Sequence, residues 1–221
     1  MRDDVDRDLA ESSVFPGDPS RLTALSDGVF AVALTLLVLD VKPPQVNPAL
    51  LGSAVLAMAP RLGIFALSFA IVTYYWVSHH SVFTYVRATD RGLLWLNMLF
   101  LFTIVVLPFS AAVLADYPRT APAIALYGTN VALCSVALSV AWWYAVAKRL
   151  SIDVQGVELR HVAVRTAVSP ILALLGVAVS TIAPVISLVL FVAIPVVYGV
   201  TAGRYRKNRR NKGQRSDAVP R

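Results

Sequence analysis

Long apolar runs separated by short polar loops dominate the pattern along the chain. A helix needs about 20 apolar residues to cross a bilayer, and six runs approach or reach this length: residues 22–41, 61–78, 92–114, 121–147, 162–182 and 185–202. A shorter apolar helix is predicted over residues 49–59, and Pro60 interrupts it because proline has no N–H to donate. The pattern therefore predicts an all-α, polytopic integral membrane protein with six transmembrane helices.

Composition supports this fold class and suggests how the chain is divided. Hydrophobic residues make up 57% of the chain and charged residues 15%, whereas soluble domains have about 25% charged residues. We expect a polar N-terminal segment (1–20), a membrane domain (21–203) and a basic tail (204–221). The first twenty residues are polar and include acids, so no cleavable signal peptide is visible. We therefore expect the first span to act as a signal anchor.

The distribution of basic residues predicts the orientation in the membrane. With both termini in the cytoplasm, the outer loops carry Lys42, Arg61 and Arg119, and the other seventeen of the twenty Lys and Arg residues lie inside. This asymmetry follows the positive-inside rule and favours an even number of spans. The net charge of +7 is concentrated in the tail, where it can meet anionic lipid. No groove-reading motif accompanies it, so nucleic-acid binding is not expected.

The first predicted span carries polar residues near its start, namely Arg21, Ser26 and Asp27. A carboxylate at membrane depth must find partners or water, because its desolvation is costly. The helical period places Asp27 about 140° from Val32, so we expect Asp27 to face neighbouring helices. Its expected partners in a structural polar network lie at the inner ends of the second and third spans: Trp76, His79, His80 and Asn97.

A narrow apolar row occupies another face of the same span. Its members lie within about 60° of a common line on the helix: Leu25, Gly28, Val32, Thr35, Leu36 and Leu39. From spacing alone, this row is compatible with an ordinary lipid-facing or packing surface. A ring of such residues from several helices would also suit a pore, because aliphatic side chains can close a narrow passage by dewetting.

Three segments resemble the transmembrane protein 175 potassium-channel family, in particular its prokaryotic branch with one six-helix repeat. RLTALSDGVFAVALTLLVLD is similar to the first-helix signature Arg-x-x-x-Phe-Ser-Asp, with Leu25 at the phenylalanine position. YWVSHHSVF and LWLNMLFLFTIVVLPFSAAVL in the second and third spans also resemble that family. The resemblance covers about residues 21–205.

The resemblance implies a homotetrameric, potassium-selective cation channel whose pore is lined by the first helix of each subunit. Carried over by position after the Ser-Asp pair, the constriction falls on Val32, further aliphatic layers fall on Leu36 and Leu39, and the selectivity residue is Thr35. The family more often has isoleucine at the Val32 position, so the smaller valine favours a looser ring. The TVGYG filter of ordinary potassium channels is absent from this sequence, in agreement with the family.

The resulting hypothesis is passive K⁺ permeation across a bacterial or archaeal cell membrane, with membrane lipid as the surroundings. The alternative is a secondary or proton-coupled transporter, but such proteins usually have inverted repeats and charged groups at the midplane. No nucleophile–base pair, P-loop or metal-ligand cluster indicates an enzyme, and no cofactor is expected. His79 and His80 point about 100° apart on a helix, which disfavours a shared metal ion.

Overall fold

The computed structural model describes residues 18–152, 156–197 and 199, and this part of the chain is helical apart from its loops and one isolated β-bridge. The first helix, α1, is continued by a 3₁₀ turn over Leu37–Asp40, and a second 3₁₀ turn over Pro48–Leu50 leads into α2. The helices are α1 (Pro19–Leu36), α2 (Leu51–Ala57), α3 (Ala59–Phe83), α4 (Arg91–Asp116), α5 (Ala121–Ala147), α6 (Gly156–Val179) and α7 (Pro184–Val197).

Within the described residues, four helical segments are long and apolar enough to cross a membrane: Pro19–Asp40, α3, α4 and α5. This confirms the membrane class predicted from the pattern. The apolar parts described for α6 and α7, Val168–Val179 and Pro184–Val197, are shorter. Almost all of the predicted N-terminal segment, and the whole predicted tail, lie outside the described residues.

Two aspartates fix the starts of α1 and α4. Asp18 caps α1 by accepting a hydrogen bond from Ser20 N (2.9 Å), and Pro19 occupies the first turn, where a missing N–H costs nothing. Asp90 caps α4 by accepting from Leu93 N (2.7 Å). The second carboxylate oxygen of Asp90 accepts from the Tyr144 hydroxyl (2.8 Å), so this cap also ties α4 to the end of α5.

The Asp18 cap predicts a small acid-sensitive contribution to stability. Hydrogen bonds from the Ser20 hydroxyl and backbone hold the pKa of Asp18 below its ordinary value of 3.8. The stabilisation from this cap is therefore fully present at pH values above 3.8, the ordinary pKa. It is lost as the pH falls through the lower pKa that Asp18 has in the folded protein. We expect wild type to lose more thermal stability than Asp18→Asn between pH 7 and pH 3, because asparagine also caps helices but does not titrate. Parallel melting curves of both proteins check this, and equal losses would contradict it.

The core lies between α1, α3, α4 and α5. The buried face of α1 contains Leu22, Ser26, Phe30 and Ala33, and the Phe30 ring lies 5.9 Å from that of Phe100 on α4. The Asn130 side chain donates to the Thr103 carbonyl (3.0 Å) and thereby joins α5 to α4.

The aromatic ring of Phe191 packs between α5, α6 and α7. Phe191 of α7 is fully buried, and its ring faces Gly128 of α5 and Gly176 of α6. A Cβ at Gly128 would lie 2.7 Å from the Phe191 ring, and one at Gly176 would lie 2.5 Å from it. Small residues let helices approach closely in membranes. The two glycines therefore leave the space that the Phe191 ring occupies.

Candidate pore helix and its polar contacts

The two faces of α1 have opposite surroundings. Phe30, Ala33 and Leu37 are buried against α3 and α4. In contrast, Val32 is 56% exposed to solvent and Leu39 is 66% exposed. All members of the row that the helical period predicts are exposed in the isolated chain: Leu25, Gly28, Val32, Thr35, Leu36 and Leu39. The chain therefore presents a continuous aliphatic surface, with one hydroxyl in it, that its own helices do not cover.

The Thr35 hydroxyl is oriented by its own helix. Its Oγ1 lies 2.8 Å from the Val32 carbonyl and 3.2 Å from the Ala31 carbonyl, and it can donate its proton only to these oxygens. A hydroxyl that donates in this way keeps its lone pairs available as acceptors. The exposed side of Thr35 thus offers an uncharged oxygen, which is a suitable contact for a cation.

A fully buried hydrogen-bond chain joins the N-terminal half of α1 to α3 and α4. Asn97 Nδ2 donates to Ser26 Oγ (3.1 Å), and Ser26 Oγ donates to the Leu22 carbonyl (2.8 Å). Asn97 Oδ1 therefore accepts from His79 Nε2, which lies 2.9 Å away. Each bond then has one donor and one acceptor, so the geometry assigns the proton of a neutral His79 ring to Nε2.

Aromatic rings enclose His79 on its remaining sides. The imidazole stacks on Phe83 with ring centres 4.2 Å apart, and on Phe100 at 5.5 Å. Phe30 of α1 approaches it at 6.0 Å. His79 Nδ1 is one of three buried side-chain polar atoms without a hydrogen-bond partner among the described residues. A second proton on this ring would have no acceptor, so the surroundings favour the neutral form.

Asp27 and His80 belong to a separate, exposed cluster. Trp76 Nε1 donates to Asp27 Oδ1 (2.8 Å), and the Trp76 ring stacks on His80 with centres 6.1 Å apart. Arg21 is exposed one and a half turns before Asp27. The sequence predicts a single network for all these residues, whereas the structure places Ser26, Asn97 and His79 in the interior and Asp27, Trp76 and His80 at the surface.

Two features of this site were missed from the sequence. The aromatic enclosure of His79 includes Phe30 and Phe100 from other helices, and its one local signal was the spacing of four between His79 and Phe83. The ion pair between Arg61 and Asp116, at the opposite end of the helices, was also missed. The sequence predicts Arg61 only as an outer-loop charge. Its contact with Asp116 could not be predicted, because two residues far apart in the chain produce no periodic pattern.

These observations define a polytopic helical membrane protein whose N-terminal helix carries an uncovered apolar face and is held to its neighbours by polar side chains. Residues 21–108 match the model of a protein family described as "Endosomal/lysosomal potassium channel TMEM175". This match confirms the resemblance to the TMEM175 family. The matched part covers α1, α2, α3 and most of α4, and so includes both polar clusters.

Bacterial relatives show the same similarity. A potassium channel of Streptomyces collinus is 38% identical over 132 residues, which are 58% of this chain and 64% of the relative. A potassium channel of Chamaesiphon minutus is 36% identical over 134 residues, which are 58% of this chain and 66% of the relative. The matched residues span slightly less than two thirds of the length of these two relatives.

The fold is similar to that of a solved channel. The crystal structure of a lysosomal potassium-selective channel TMEM175 homolog from Chamaesiphon minutus superimposes with a TM-score of 0.74 and 29% sequence identity. The comparison covers 83% of this chain and 97% of the solved one. The similarity in fold thus extends well beyond the segment that the family model matches.

Proposed function

We propose that the protein is a potassium-selective channel that assembles as a homotetramer around the exposed row of α1. The observation that carries this proposal is the contrast between the two faces of α1, one packed in the core and the other uncovered. The names of the bacterial relatives and of the solved homolog support the choice of ion. K⁺ passes down its electrochemical gradient, and no cofactor or enzymatic step takes part.

In the proposed assembly, four α1 helices turn the row toward a common axis. Val32 forms the narrowest ring, with Leu36 and Leu39 as further aliphatic layers toward the outer end. Such rings can expel water and block ions without a plug. The Thr35 hydroxyls lie next to the Val32 ring and replace part of the hydration shell of a permeating ion. Uncharged oxygens bind a monovalent cation weakly enough for it to leave.

The proposed topology has six spans, with α6 and α7 as the fifth and sixth, and both termini in the cytoplasm. The charges support this orientation, since the side that the proposal places outside carries only three of the twenty Lys and Arg residues, Lys42, Arg61 and Arg119. The proposed location is the cell membrane. Ser26, Asp27 and their partners then lie at the cytoplasmic end of the pore helix, where they anchor it to α3 and α4.

Substitution of Thr35 tests the chemistry of this pore. Thr35→Val has nearly the same shape but lacks the acceptor oxygen, so we expect the K⁺/Na⁺ flux ratio of reconstituted liposomes to fall about fivefold, as the loss of a contact worth about 1 kcal/mol predicts. Thr35→Ser keeps the hydroxyl and serves as the control. Fluxes are measured with matched K⁺ and Na⁺ gradients and a proton ionophore to compensate charge.

Two results would contradict the proposal. An unchanged flux ratio in Thr35→Val, with both proteins well folded, would remove Thr35 from the permeation path. Saturable K⁺ movement that drives proton movement in wild type without the ionophore would indicate a coupled transporter instead.

A further inference from the structure

Arg61 links the outer ends of three helices. It lies in the first turn of α3, and its Nη2 donates to the Asp116 carboxylate at the last residue of α4. Its Nη1 lies 3.4 Å from the carbonyl of Asp40, the last residue of the 3₁₀ extension of α1. One planar guanidinium can hold two acceptors at once because its N–H groups form a fixed fork. Arg61 thereby connects α1 to both α3 and α4.

Beyond Leu37, which is buried against α3 and α4, the outer end of α1 is exposed or half-buried. The helix tightens into the 3₁₀ turn at Leu37, and residues 41–47 form no helix or strand. Carbonyls at the end of a helix lack helical donors and need other partners, and Asp40 finds one in Arg61. A cavity of about 300 Å³ lies beside this link, between Lys42, Met58 and Ala115. This corner is therefore not close-packed, and the end of α1 has room to shift.

Leu39 immediately precedes the linked carbonyl and is the outermost member of the exposed row. A displacement of Asp40 must carry Leu39 with it, since the two residues share a peptide bond. Leu36 lies one turn deeper, within regular helix, where hydrogen bonds of the α-helix hold the backbone. The link therefore acts on the outer layer of the row far more than on Val32 or Thr35.

We propose that Arg61 is a positioning residue for the outer end of the pore: paired with Asp116, it holds the end of α1 so that Leu39 keeps a fixed place in the row. The functional consequence rests on the proposed channel, but the positional claim does not. Arg61 and Asp116 keep 32% and 54% of their side-chain exposure. A pair this exposed is weak enough to break and re-form, so the link controls the mobility of α1 without holding it rigidly.

The mobility of a spin label at position 39 tests this link. Cys134 is the single cysteine and is fully buried, so it offers a silent background for Leu39→Cys labelled with a nitroxide. In Arg61→Gln and in Asp116→Asn, we expect the mobile fraction of the spectrum to rise about two- to fivefold, as the loss of a partly exposed ion pair predicts. A label at Leu36→Cys should not change.

Charge reversal separates the link to α1 from the ion pair between α3 and α4. The double variant Arg61→Asp/Asp116→Arg keeps an ion pair between α3 and α4 but has no guanidinium at position 61 to donate to the Asp40 carbonyl, so we expect its mobile fraction to stay as high as in the single variants. Arg119→Gln removes an outer cation that is not part of the link and should leave the label unchanged. An unchanged mobile fraction in both single variants, or a double variant restored to the wild-type fraction, would overturn the proposal.

Potassium flux of the unlabelled proteins keeps the two proposals distinguishable. If the label responds as expected but wild type conducts no K⁺, the link stands and the channel proposal falls. If wild type conducts K⁺ but the label does not respond, the channel proposal stands and the link falls.

Discussion

Replacing Val32 by asparagine will raise K⁺ flux through the reconstituted protein about tenfold or more, which corresponds to a barrier lowered by about 1.4 kcal/mol. Valine exposes only methyl groups, and four of them around a narrow passage favour a dry constriction. An amide donates and accepts hydrogen bonds, so it keeps water in the ring. Val32 is 56% exposed and lies outside the core, and the fold should therefore tolerate the change. Initial flux rates at equal protein content provide the measurement.

A matched control separates this effect from the general cost of a polar group in a membrane. Val136 of α5 is 45% exposed but lies on a helix that the proposed pore does not include. Val136→Asn should leave the flux close to that of wild type. Equal fluxes in wild type and Val32→Asn, or an equal rise in both variants, would remove Val32 from the gate.

Replacing Asn97 by leucine will lower the stability of the fold by about 2 to 3 kcal/mol. The side chain is fully buried, and its loss leaves Ser26 and His79 without their partner. Measured hydrogen bonds between membrane helices are worth about 0.6 to 2 kcal/mol each, and a buried group left without a partner costs about 1 to 3 kcal/mol. Reversible unfolding in mixed micelles, followed by circular dichroism, measures the change.

Asn130→Leu is the matched control for this variant. Asn130 is also buried and makes two hydrogen bonds, one with Ser110 and one to the Thr103 carbonyl, but both join α5 to α4. It should cost similar stability without touching α1. We expect only Asn97→Leu to change K⁺ permeation of the folded protein as well. Loss of stability in neither variant would contradict the role assigned to these buried contacts.

The third and fourth spans could be predicted closely from the sequence, because each is a continuous apolar run with a clear end. The fourth predicted span, residues 121–147, has the same bounds as α5, and the third differs from α4 by three residues in total. The predicted second span is too short, because α3 continues beyond residue 78 to Phe83. Its C-terminal end contains two histidines that lower the local hydropathy, yet the burial of His79 keeps this turn within the bundle.

The face of α1 that stays uncovered could also be predicted, since it follows from the helical period alone. Residues such as Val32 and Leu39 are exposed, whereas Phe30, Ala33 and Leu37 of the same segment are buried. A single chain does not show which surface covers this row, because in the proposed tetramer that surface belongs to other copies of the chain. The roles of Val32, Thr35, Leu36 and Leu39 in a pore therefore remain predictions.

Contacts between distant segments could be predicted only in part: Trp76 is an expected partner of Asp27 and contacts it, but the division into a buried and an exposed cluster is not predicted. Ser26 and Asp27 are neighbours in the sequence, yet one bonds to buried Asn97 and the other to exposed Trp76. The helical period shows that these side chains diverge by about 100°, but it does not show which helix stands on each side. Arg61 and Asp116 are 55 residues apart, and only the packing of α3 against α4 brings them together.

The packing of the Phe191 ring against Gly128 and Gly176 suggests which part of the protein can change shape. A ring held by steric fit allows little sliding, since close-packed interiors resist small displacements, so α5, α6 and α7 should behave as one stiff outer scaffold. On the other side of the bundle, α1 packs one face against α3 and α4 and leaves its other face uncovered. We therefore expect the proposed pore to open and close by a tilt or rotation of α1 alone. The arrangement of α5, α6 and α7 should be the same in both conformations.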